Sequence, residues 1–187
     1  MKHIIIGIFL TVFCFSCKEK VAVDYDPDTS YWSVNQFIID QYNLKVGEPI
    51  AITKVVAING KTDTTYLPID EIDWAAVFKL FSKADISNPK YYDKYSYSNF
   101  DDNFLELSTI TYQAKDPKLF VQREDVNYDN FSRKVKSIYI ETYEKNWFLS
   151  KQQKLSYYVN DKIVIFEHEK GRFSKPKEIM ITYIFPY

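Results

Sequence analysis

Two stretches of the chain carry the hydrophobic spacing of an amphipathic helix. From Tyr31 to about Asn43, apolar residues recur every three or four positions and form one stripe, with Ser30 as the expected N-cap. The second stretch opens on the acidic segment 70–73, which suits the positive end of a helix dipole, and continues to about Ala84. The apolar positions of its stripe are Trp74, Val77, Phe78 and Phe81. Each pattern predicts a helix that buries one side against a sheet.

Between these two helices the period changes to the alternation that is typical of β-strands. Apolar and polar residues alternate from Pro49 to Leu67, on both sides of the dipeptide Asn59-Gly60. Asn and Gly both tolerate the positive φ angles of a type I′ turn, which makes this dipeptide the strongest short-range hairpin signal. The segment therefore predicts a two-stranded β-hairpin.

The segment from Tyr91 to Asn103 is expected to be a strand with a long loop, and from Phe104 short alternating segments separated by turn residues continue to the C-terminus. The turn signals are Asp116-Pro117, 127–130, Lys145-Asn146, Asn160-Asp161 and Gly171. Sequential strands joined by short turns form an antiparallel meander. We therefore predict an α+β fold: an N-terminal helix, a β-hairpin, a second helix, and then an antiparallel meander sheet of about five to seven strands packed on the helices. Residues 31–187 are expected to form this single domain.

The first residues of the chain have the pattern of an export signal. Lys2 and His3 give a short basic start, and the run from Ile4 to Phe15 is almost unbroken apolar sequence. This run is shorter than the roughly 20 apolar residues that a membrane-spanning helix needs. We therefore expect a signal peptide that is removed after export.

A small residue and a cysteine, Ser16 and Cys17, follow the apolar run directly. This arrangement resembles the lipobox of bacterial lipoproteins. The resemblance implies that residues 1–16 are a lipoprotein signal peptide and that Cys17 carries acyl chains as the first residue of the mature protein. Residues 17–30 are then a flexible polar tether. The alternative is an ordinary secretory signal cut elsewhere, which leaves Cys17 as a free thiol.

The chain as a whole is similar to uncharacterised lipoproteins of Bacteroidota-type bacteria. The similarity lies in its richness in Tyr, Phe, Lys, Ile and Asn, and in the order of Asn59 to Lys61, Ile72 to Trp74, and Asp85-Ile86. It implies an α+β domain held in the bacterial cell envelope, at the outer membrane, through the lipid on Cys17. It carries over no catalytic residue. The segment Lys18-Glu19-Lys20 leaves open whether the domain faces the periplasm or the cell surface.

Composition limits the chemistry that the exported domain can perform. Both cysteines, Cys14 and Cys17, lie within the first seventeen residues, so the domain has no disulfide and no thiolate site. The formal net charge of −1 gives no basic field for nucleic acid. His168 is the one histidine left after the leader, and on a strand its neighbours Glu167 and Glu169 point the opposite way. We therefore predict no zinc site and no cofactor.

Two acidic segments resemble the start of a calcium loop but do not complete it. The first has Asp24, Asp26 and Asp28, and the second has Asp125, Asn127 and Asp129. Thr29 and Asn130 occupy the position where the loop requires glycine, and neither twelfth position is Glu. We expect a tether in the first case and a turn in the second, and no metal site.

The best candidate for a binding surface is the tyrosine-rich segment that follows the second helix. Its aromatic residues are Tyr91, Tyr92, Tyr95, Tyr97 and Phe100. Tyrosine combines a flat apolar ring with a hydroxyl group, which suits stacking on a sugar or docking of a protein. The alternative is that these residues alternate along a strand and pack on their neighbours.

The sequence thus predicts a lipid-anchored cell-envelope protein with a non-catalytic binding or structural role. One alternative is a glycan-binding lipoprotein that uses the tyrosine-rich surface. Another is a hydrolase that uses carboxylates such as Asp101-Asp102 and Glu106. Because the chain has no phosphate loop, dinucleotide motif or Gly-x-Ser-x-Gly elbow, we assign no catalytic residue.

Overall fold

The computed structural model describes residues 31–186, and within them two α-helices and nine β-strands form an α+β fold in which the sheet predominates. The helices are α1 (Val34–Lys45) and α2 (Trp74–Lys83). The strands are β1 (Ala51–Ile58), β2 (Lys61–Pro68), β3 (Tyr95–Asp102), β4 (Leu107–Ala114), β5 (Val121–Asp129), β6 (Val135–Lys145), β7 (Leu149–Tyr158), β8 (Lys162–Gly171) and β9 (Lys177–Ile184). The predicted α+β class is confirmed. The predicted signal peptide, the Cys17 lipidation site and the tether with its three aspartates lie outside the described residues.

Neighbouring strands are antiparallel throughout one open sheet, in the order β2-β1-β9-β8-β7-β6-β5-β4-β3. The meander runs from β3 to β9, and β1 of the hairpin pairs with the last strand, β9. The prediction of five to seven strands is therefore wrong: over residues 31–186 the sheet has nine strands, because the hairpin joins the meander instead of standing apart from it. Alternation along a strand defines its two faces but does not specify which strand lies beside it.

Short polar side chains set the points at which the helices begin. The N-cap of α1 is Ser33 and not Ser30, and its hydroxyl oxygen accepts a hydrogen bond from the backbone N–H of Gln36 at 3.2 Å. Asp73 caps α2 in the same way, by accepting from the backbone N–H of Ala76 at 2.9 Å. These bonds satisfy donors that the first turn of a helix leaves without partners.

The core lies between the helices and one face of the sheet. At its centre is Tyr157 of β7, whose ring centroid lies 5.4 Å from that of Phe37 in α1 and 6.5 Å from that of Phe81 in α2. The aliphatic residues around it are Ile38, Val77, Ile138, Ile140, Leu155 and Ile163. The predicted helix stripes therefore do face the sheet. The other face of the sheet carries mainly polar side chains towards its β3 edge, among them Thr111 and Asp125.

The turns between strands fall at two ends of the sheet. The β1–β2, β4–β5, β6–β7 and β8–β9 turns lie at one end, and the β3–β4, β5–β6 and β7–β8 turns lie at the other. Tyr31 lies at the first end, where its hydroxyl donates to the carbonyl oxygen of Tyr95, the first residue of β3, at 3.2 Å. We call these the Tyr31 end and the opposite end. Over residues 31–186, no helix is both long and apolar enough to cross a membrane.

Candidate functional site

A groove of about 580 Å³ lies on the surface at the Tyr31 end. It lies where the start of α1, the end of α2 and the loop from α2 to β3 meet. The residues that line it are Asn35, Ser82, Lys83, Asp85, Ser87, Asn88, Lys90, Tyr91 and Phe120. Its lining thus combines amide, hydroxyl and charged groups with two aromatic rings, a composition that suits a polar ligand with flat apolar faces.

Asp85 holds one wall of this groove in place. Its Oδ2 accepts hydrogen bonds from the Ser33 hydroxyl and from the backbone N–H of Asn35, both at 3.0 Å. Its Oδ1 accepts from the backbone N–H of Ser87 at 2.8 Å. A carboxylate at the first turn of a helix also interacts favourably with the helix dipole. Asp85 therefore ties the start of α1 to the loop that follows α2, which fixes the width of the groove.

The other wall is formed by Lys83 and Phe120. The Lys83 ammonium lies 4.3 Å from the centroid of the Phe120 ring and 3.0 Å from a carboxylate oxygen of Glu144. Ser82 at the end of α2 donates to the Asn35 side chain at 2.6 Å. Lys83 and Glu144 are both more than half exposed, so this ion pair contributes little to stability and leaves the ammonium accessible to a ligand.

Beneath the helices, β5 contributes a fully buried carboxyl group, Glu124. Among the described residues, neither of its carboxylate oxygens has a hydrogen-bond partner. Burial raises the pKa of Glu124 well above its usual range, and the negative charges of Asp85 and Asp125 add to the shift. Glu124 is paired across the sheet with Tyr112 of β4 and Ile140 of β6. The groove thus lies near a carboxyl group that favours its neutral form.

The structure divides the predicted tyrosine-rich surface among several environments. Tyr91 is half-buried in the groove lining, and its ring packs edge-on against Tyr95 at 6.1 Å. Tyr95 is buried, and its hydroxyl donates to the carbonyl oxygen of Val121 at 3.1 Å. Tyr97 is exposed on the helix side of β3, and Phe100 is exposed on the other side. The segment therefore brings Tyr91 and Tyr95 together.

The remaining members of that segment do not join this pair. Tyr92 follows Tyr91 directly and is exposed, but it does not line the groove. Tyr97 contacts the ring of Tyr112 on the neighbouring strand, with centroids 5.8 Å apart. Because successive side chains of a strand point to opposite faces, Tyr97 and Phe100 cannot form one flat platform.

Two of the acidic residues that could act in a hydrolase, Asp101 and Asp102, accept local hydrogen bonds. Asp102 Oδ1 accepts from the backbone N–H groups of Phe104 and Leu105, each at 2.9 Å, and so caps the β3–β4 turn. Asp101 accepts from the Ser108 hydroxyl and borders a small polar pocket of about 190 Å³ with Arg133. Glu106 lies in the same turn with a φ of 55°. The carboxylates of Asp101 and Asp102 thus bind the turn and its flanking strands, which is the local role expected of acids there.

The partial calcium motif at 125–129 lies on β5 as part of the sheet. Asp125 is bound by Arg123, with the nearest nitrogen–oxygen distance 2.9 Å, and Asp129 accepts from the backbone N–H of Ser132 at 2.7 Å. This bonding lowers the pKa of Asp129 to about 2. His168 lies 3.3 Å from a carboxylate oxygen of Glu178. Within residues 31–186, no three His, Cys, Asp or Glu side chains are grouped so that they could hold a metal ion.

Several features of this end of the protein are not visible in the sequence. In the sequence, Asp85 and Asn88 have the pattern of ordinary loop residues. Glu124 is the middle residue of three consecutive charged residues, a pattern typical of an exposed strand. Their roles depend on contacts between elements that are distant in the chain, such as α1 with the loop after α2. The alternation of Arg123, Glu124 and Asp125 is the one local signal, since it places Glu124 on the face opposite its neighbours.

Comparison with known proteins places the chain in no family. No protein-family model, no curated protein and no solved structure matches it. The function must therefore be argued from the residues of this chain.

Proposed function

We propose that this protein is a lipid-anchored protein of the bacterial cell envelope with a non-catalytic binding role, held at the membrane through Cys17. The observation that carries the proposal is the position of Ser16-Cys17 directly after a basic start and a short apolar run. Two or three acyl chains on one residue give lasting attachment, because each buried methylene contributes about 0.8 kcal/mol.

The groove at the Tyr31 end is the binding site that this proposal favours. It offers hydrogen-bonding groups from Asn35 and Asn88, an accessible ammonium from Lys83, and the half-buried ring of Tyr91. Asp85 fixes the wall between α1 and the loop, so the site is preorganised before a ligand arrives.

The anchor is tested by substituting each cysteine in turn. We expect Cys17→Ser to abolish incorporation of radiolabelled fatty acid and to leave the precursor uncut, because the thiol that would be acylated is gone. The matched control is Cys14→Ser, which removes the other cysteine of the leader and should leave labelling intact. Labelling that persists in Cys17→Ser, or that is lost in Cys14→Ser instead, would show that the anchor lies elsewhere.

A glycan is the second candidate ligand class, and the position of Tyr91 favours it. An aromatic ring beside amide and hydroxyl groups is the combination that stacks on a sugar ring and bonds its hydroxyl groups. On an array of defined oligosaccharides, Tyr91→Ala should weaken binding roughly two- to tenfold, whereas Tyr91→Phe should retain it. Tyr92→Ala is the control, since Tyr92 is exposed beside the groove but does not line it. Equal effects of the Tyr91 and Tyr92 alanine variants would count against the groove as the glycan site.

The hydrolase alternative receives no support from the positions of the acids that suggested it. Asp101 and Asp102 end β3 and Glu106 lies in the turn that follows, and the two aspartates already accept hydrogen bonds from nearby residues. We therefore keep the proposal of a non-catalytic binding role and assign no cofactor.

A further inference from the structure

Two hairpin turns at the Tyr31 end carry a group of exposed aromatic residues. Trp147 and Phe148 in the β6–β7 turn are 72% and 67% exposed, and Phe173 in the β8–β9 turn is 88% exposed. We call these three residues, with Arg172, the aromatic tip cluster. Large aromatic side chains that stand together in solvent lose the hydrophobic stabilisation that burial would give, so such a group points to a partner surface.

Specific bonds hold this cluster in one arrangement. The Arg172 guanidinium lies 4.2 Å from the centroid of the Trp147 ring and 5.6 Å from that of Phe173. The backbone N–H of Arg172 donates to the carbonyl oxygen of Phe148 at 2.9 Å, which joins the two turns. Asn146 Oδ1 accepts from the backbone N–H of Phe148 at 2.9 Å. The rings are thus presented by a defined structure.

The two turn segments that carry the cluster are basic, and the nearest acidic residues along the chain, Glu144, Glu169 and Glu178, lie just outside them. The segments 145–148 and 170–177 contain basic residues and no acidic one. The basic residues are Lys145, Lys170, Arg172, Lys175 and Lys177, all of them exposed. Within residues 31–186 none of them forms a salt bridge. Aromatic rings surrounded by lysine and arginine are the combination that lies in the headgroup layer of an anionic bilayer.

The opposite end provides a contrast within the same sheet. Phe104 and Phe131, in the β3–β4 and β5–β6 turns, are 94% and 79% exposed. Around these two rings the segments 101–106 and 129–134 carry four acidic residues and two basic ones, Arg133 and Lys134. That end therefore has charges of both signs with acidic residues in excess, which an anionic surface attracts less than a net basic one. Exposure of aromatic rings is thus common to both ends, and the charge distinguishes them.

The chain before Tyr31 is long enough to allow an anchor and the cluster to reach one membrane together. The cluster lies three to six strands away from β3, beside which Tyr31 packs, and that corresponds to about 15–30 Å. The 14 residues from Cys17 to Ser30 span at most about 50 Å when fully extended. The tether enters the domain at the same end that carries the cluster.

We propose that the aromatic tip cluster inserts into the headgroup layer of the anionic bilayer to which the chain is anchored, so that the sheet stands on its Tyr31 end. This inference rests on the proposed anchor at Cys17. The rings of Trp147, Phe148 and Phe173 enter the interface, and the surrounding lysines contact the lipid phosphates. A domain attached in this way has a fixed orientation, with the acidic opposite end directed away from the membrane.

The test uses the protein purified from membranes and reconstituted into vesicles of phosphatidylglycerol and phosphatidylcholine that contain a lipid with a headgroup-region nitroxide. Tryptophan emission reports insertion, because a nitroxide quenches only a nearby indole. Trp147→Phe keeps an aromatic ring at the tip and leaves Trp32 and Trp74, so the difference between the two proteins isolates the signal of Trp147. We expect Trp147 to be quenched, and quenching to weaken in vesicles of phosphatidylcholine alone.

Matched variants separate the cluster from other aromatic residues. Phe104→Ala with Phe131→Ala should leave the quenching of Trp147 unchanged. For protein produced without residues 1–16 and with Cys17→Ser, which has neither the leader nor the lipid, Lys175→Gln and Lys177→Gln should each lower the affinity for anionic vesicles roughly fivefold. The proposal would be overturned if the nitroxide lipid did not quench Trp147 emission, or if the protein bound neutral and anionic vesicles with equal affinity.

The anchor and the cluster can fail separately in this experiment. The mass of the purified protein shows whether Cys17 carries acyl chains, independently of any fluorescence. If Cys17 carries no acyl chain, the anchor proposal fails. The same protein can then be added to the vesicles from solution, and the quenching of Trp147 can still be measured. Quenching in that case supports the cluster as a membrane-binding surface, and its absence overturns it.

Discussion

Glu124 shows how a charged residue can occupy the core of this domain. Arg123 and Asp125 on either side of it face away from the helices and bind each other at 2.9 Å. Alternation then directs Glu124 towards the helices, where it is fully buried. A buried carboxyl without a hydrogen bond strongly disfavours its charged form. We therefore expect Glu124 to make the stability of the domain depend on pH.

The pH dependence has a definite sign. Below the usual pKa of 4.5, both the folded and the unfolded protein bind the proton, and Glu124 adds no pH dependence. Above it, the unfolded chain releases the proton while the folded protein, with its raised pKa, retains it. The free energy of unfolding therefore falls by about 1.4 kcal/mol for each pH unit until the folded pKa is reached. The groups whose charges act on Glu124 are Asp85 and Asp125.

Glu124→Gln should remove this dependence, because a glutamine stays neutral at every pH. Urea unfolding at several values between pH 5 and pH 8 measures the difference in free energy between the variant and the natural protein. We expect the variant to gain stability relative to the natural protein as the pH rises. Glu71→Gln is the control, since Glu71 is exposed, and its difference should stay constant. A constant difference for Glu124→Gln as well would contradict a raised pKa at this position.

The helices and the hairpin illustrate what local pattern can predict. The stripes of α1 and α2 depend on spacing within one element, and they do bury Phe37 and Phe81 against the sheet. Asn59 and Gly60 have φ angles of 49° and 83°, as the predicted turn requires. The pairing of β1 with β9 depends on residues more than 120 positions apart, which no local pattern encodes.

Asn59 also helps to make that distant pairing. Its backbone N–H donates to the carbonyl oxygen of Glu178 at 3.0 Å, and its Oδ1 accepts from the backbone N–H of Glu178 at 2.9 Å. The turn residue that was predicted to form the hairpin thus also binds the hairpin to the start of β9. The sequence indicates the first role, because it is local, and does not indicate the second.

The hairpin turn can be tested at its glycine. Gly60→Ala should lower the free energy of unfolding by about 1–2 kcal/mol, because a side chain disfavours the positive φ at this position. No atom outside the immediate chain neighbours lies within 4 Å of the added methyl group, so the cost is one of backbone conformation and not of collision. Lys61→Ala, at the next exposed residue, should change stability by less than about 0.5 kcal/mol. Equal stability of Gly60→Ala and the natural protein in urea unfolding would contradict this account of the turn.

The candidate site was predicted less completely than the fold. The tyrosine-rich segment contributes Tyr91 to the groove, but the rest of the lining comes from α1, α2 and the β4–β5 turn. A groove between elements depends on how they pack, and the sequence gives no direct measure of that packing. The predicted surface of five aromatic residues stays a prediction: Tyr91 and Tyr92 precede β3, and the other three residues lie on both faces of that strand.

The two ends of the sheet differ in a way that matches an anchored protein. The Tyr31 end has the groove, the basic aromatic tip cluster and Tyr31 itself, which the predicted tether precedes in the sequence. The opposite end has exposed Phe104 and Phe131 among charges of both signs, with acidic residues in excess. If the chain is held by Cys17, this asymmetry directs one end to the membrane and brings the groove close to its surface.

The proposed orientation of the domain depends on a lipid at Cys17, and the presence of that lipid can be tested directly. The measurement is the mass of the N-terminal peptide of the mature protein, purified from the cell envelope. The account predicts a peptide that begins at Cys17 and carries a diacylglyceryl group on its sulfur. A mature protein that begins at another residue, or whose Cys17 is a free thiol, would contradict it.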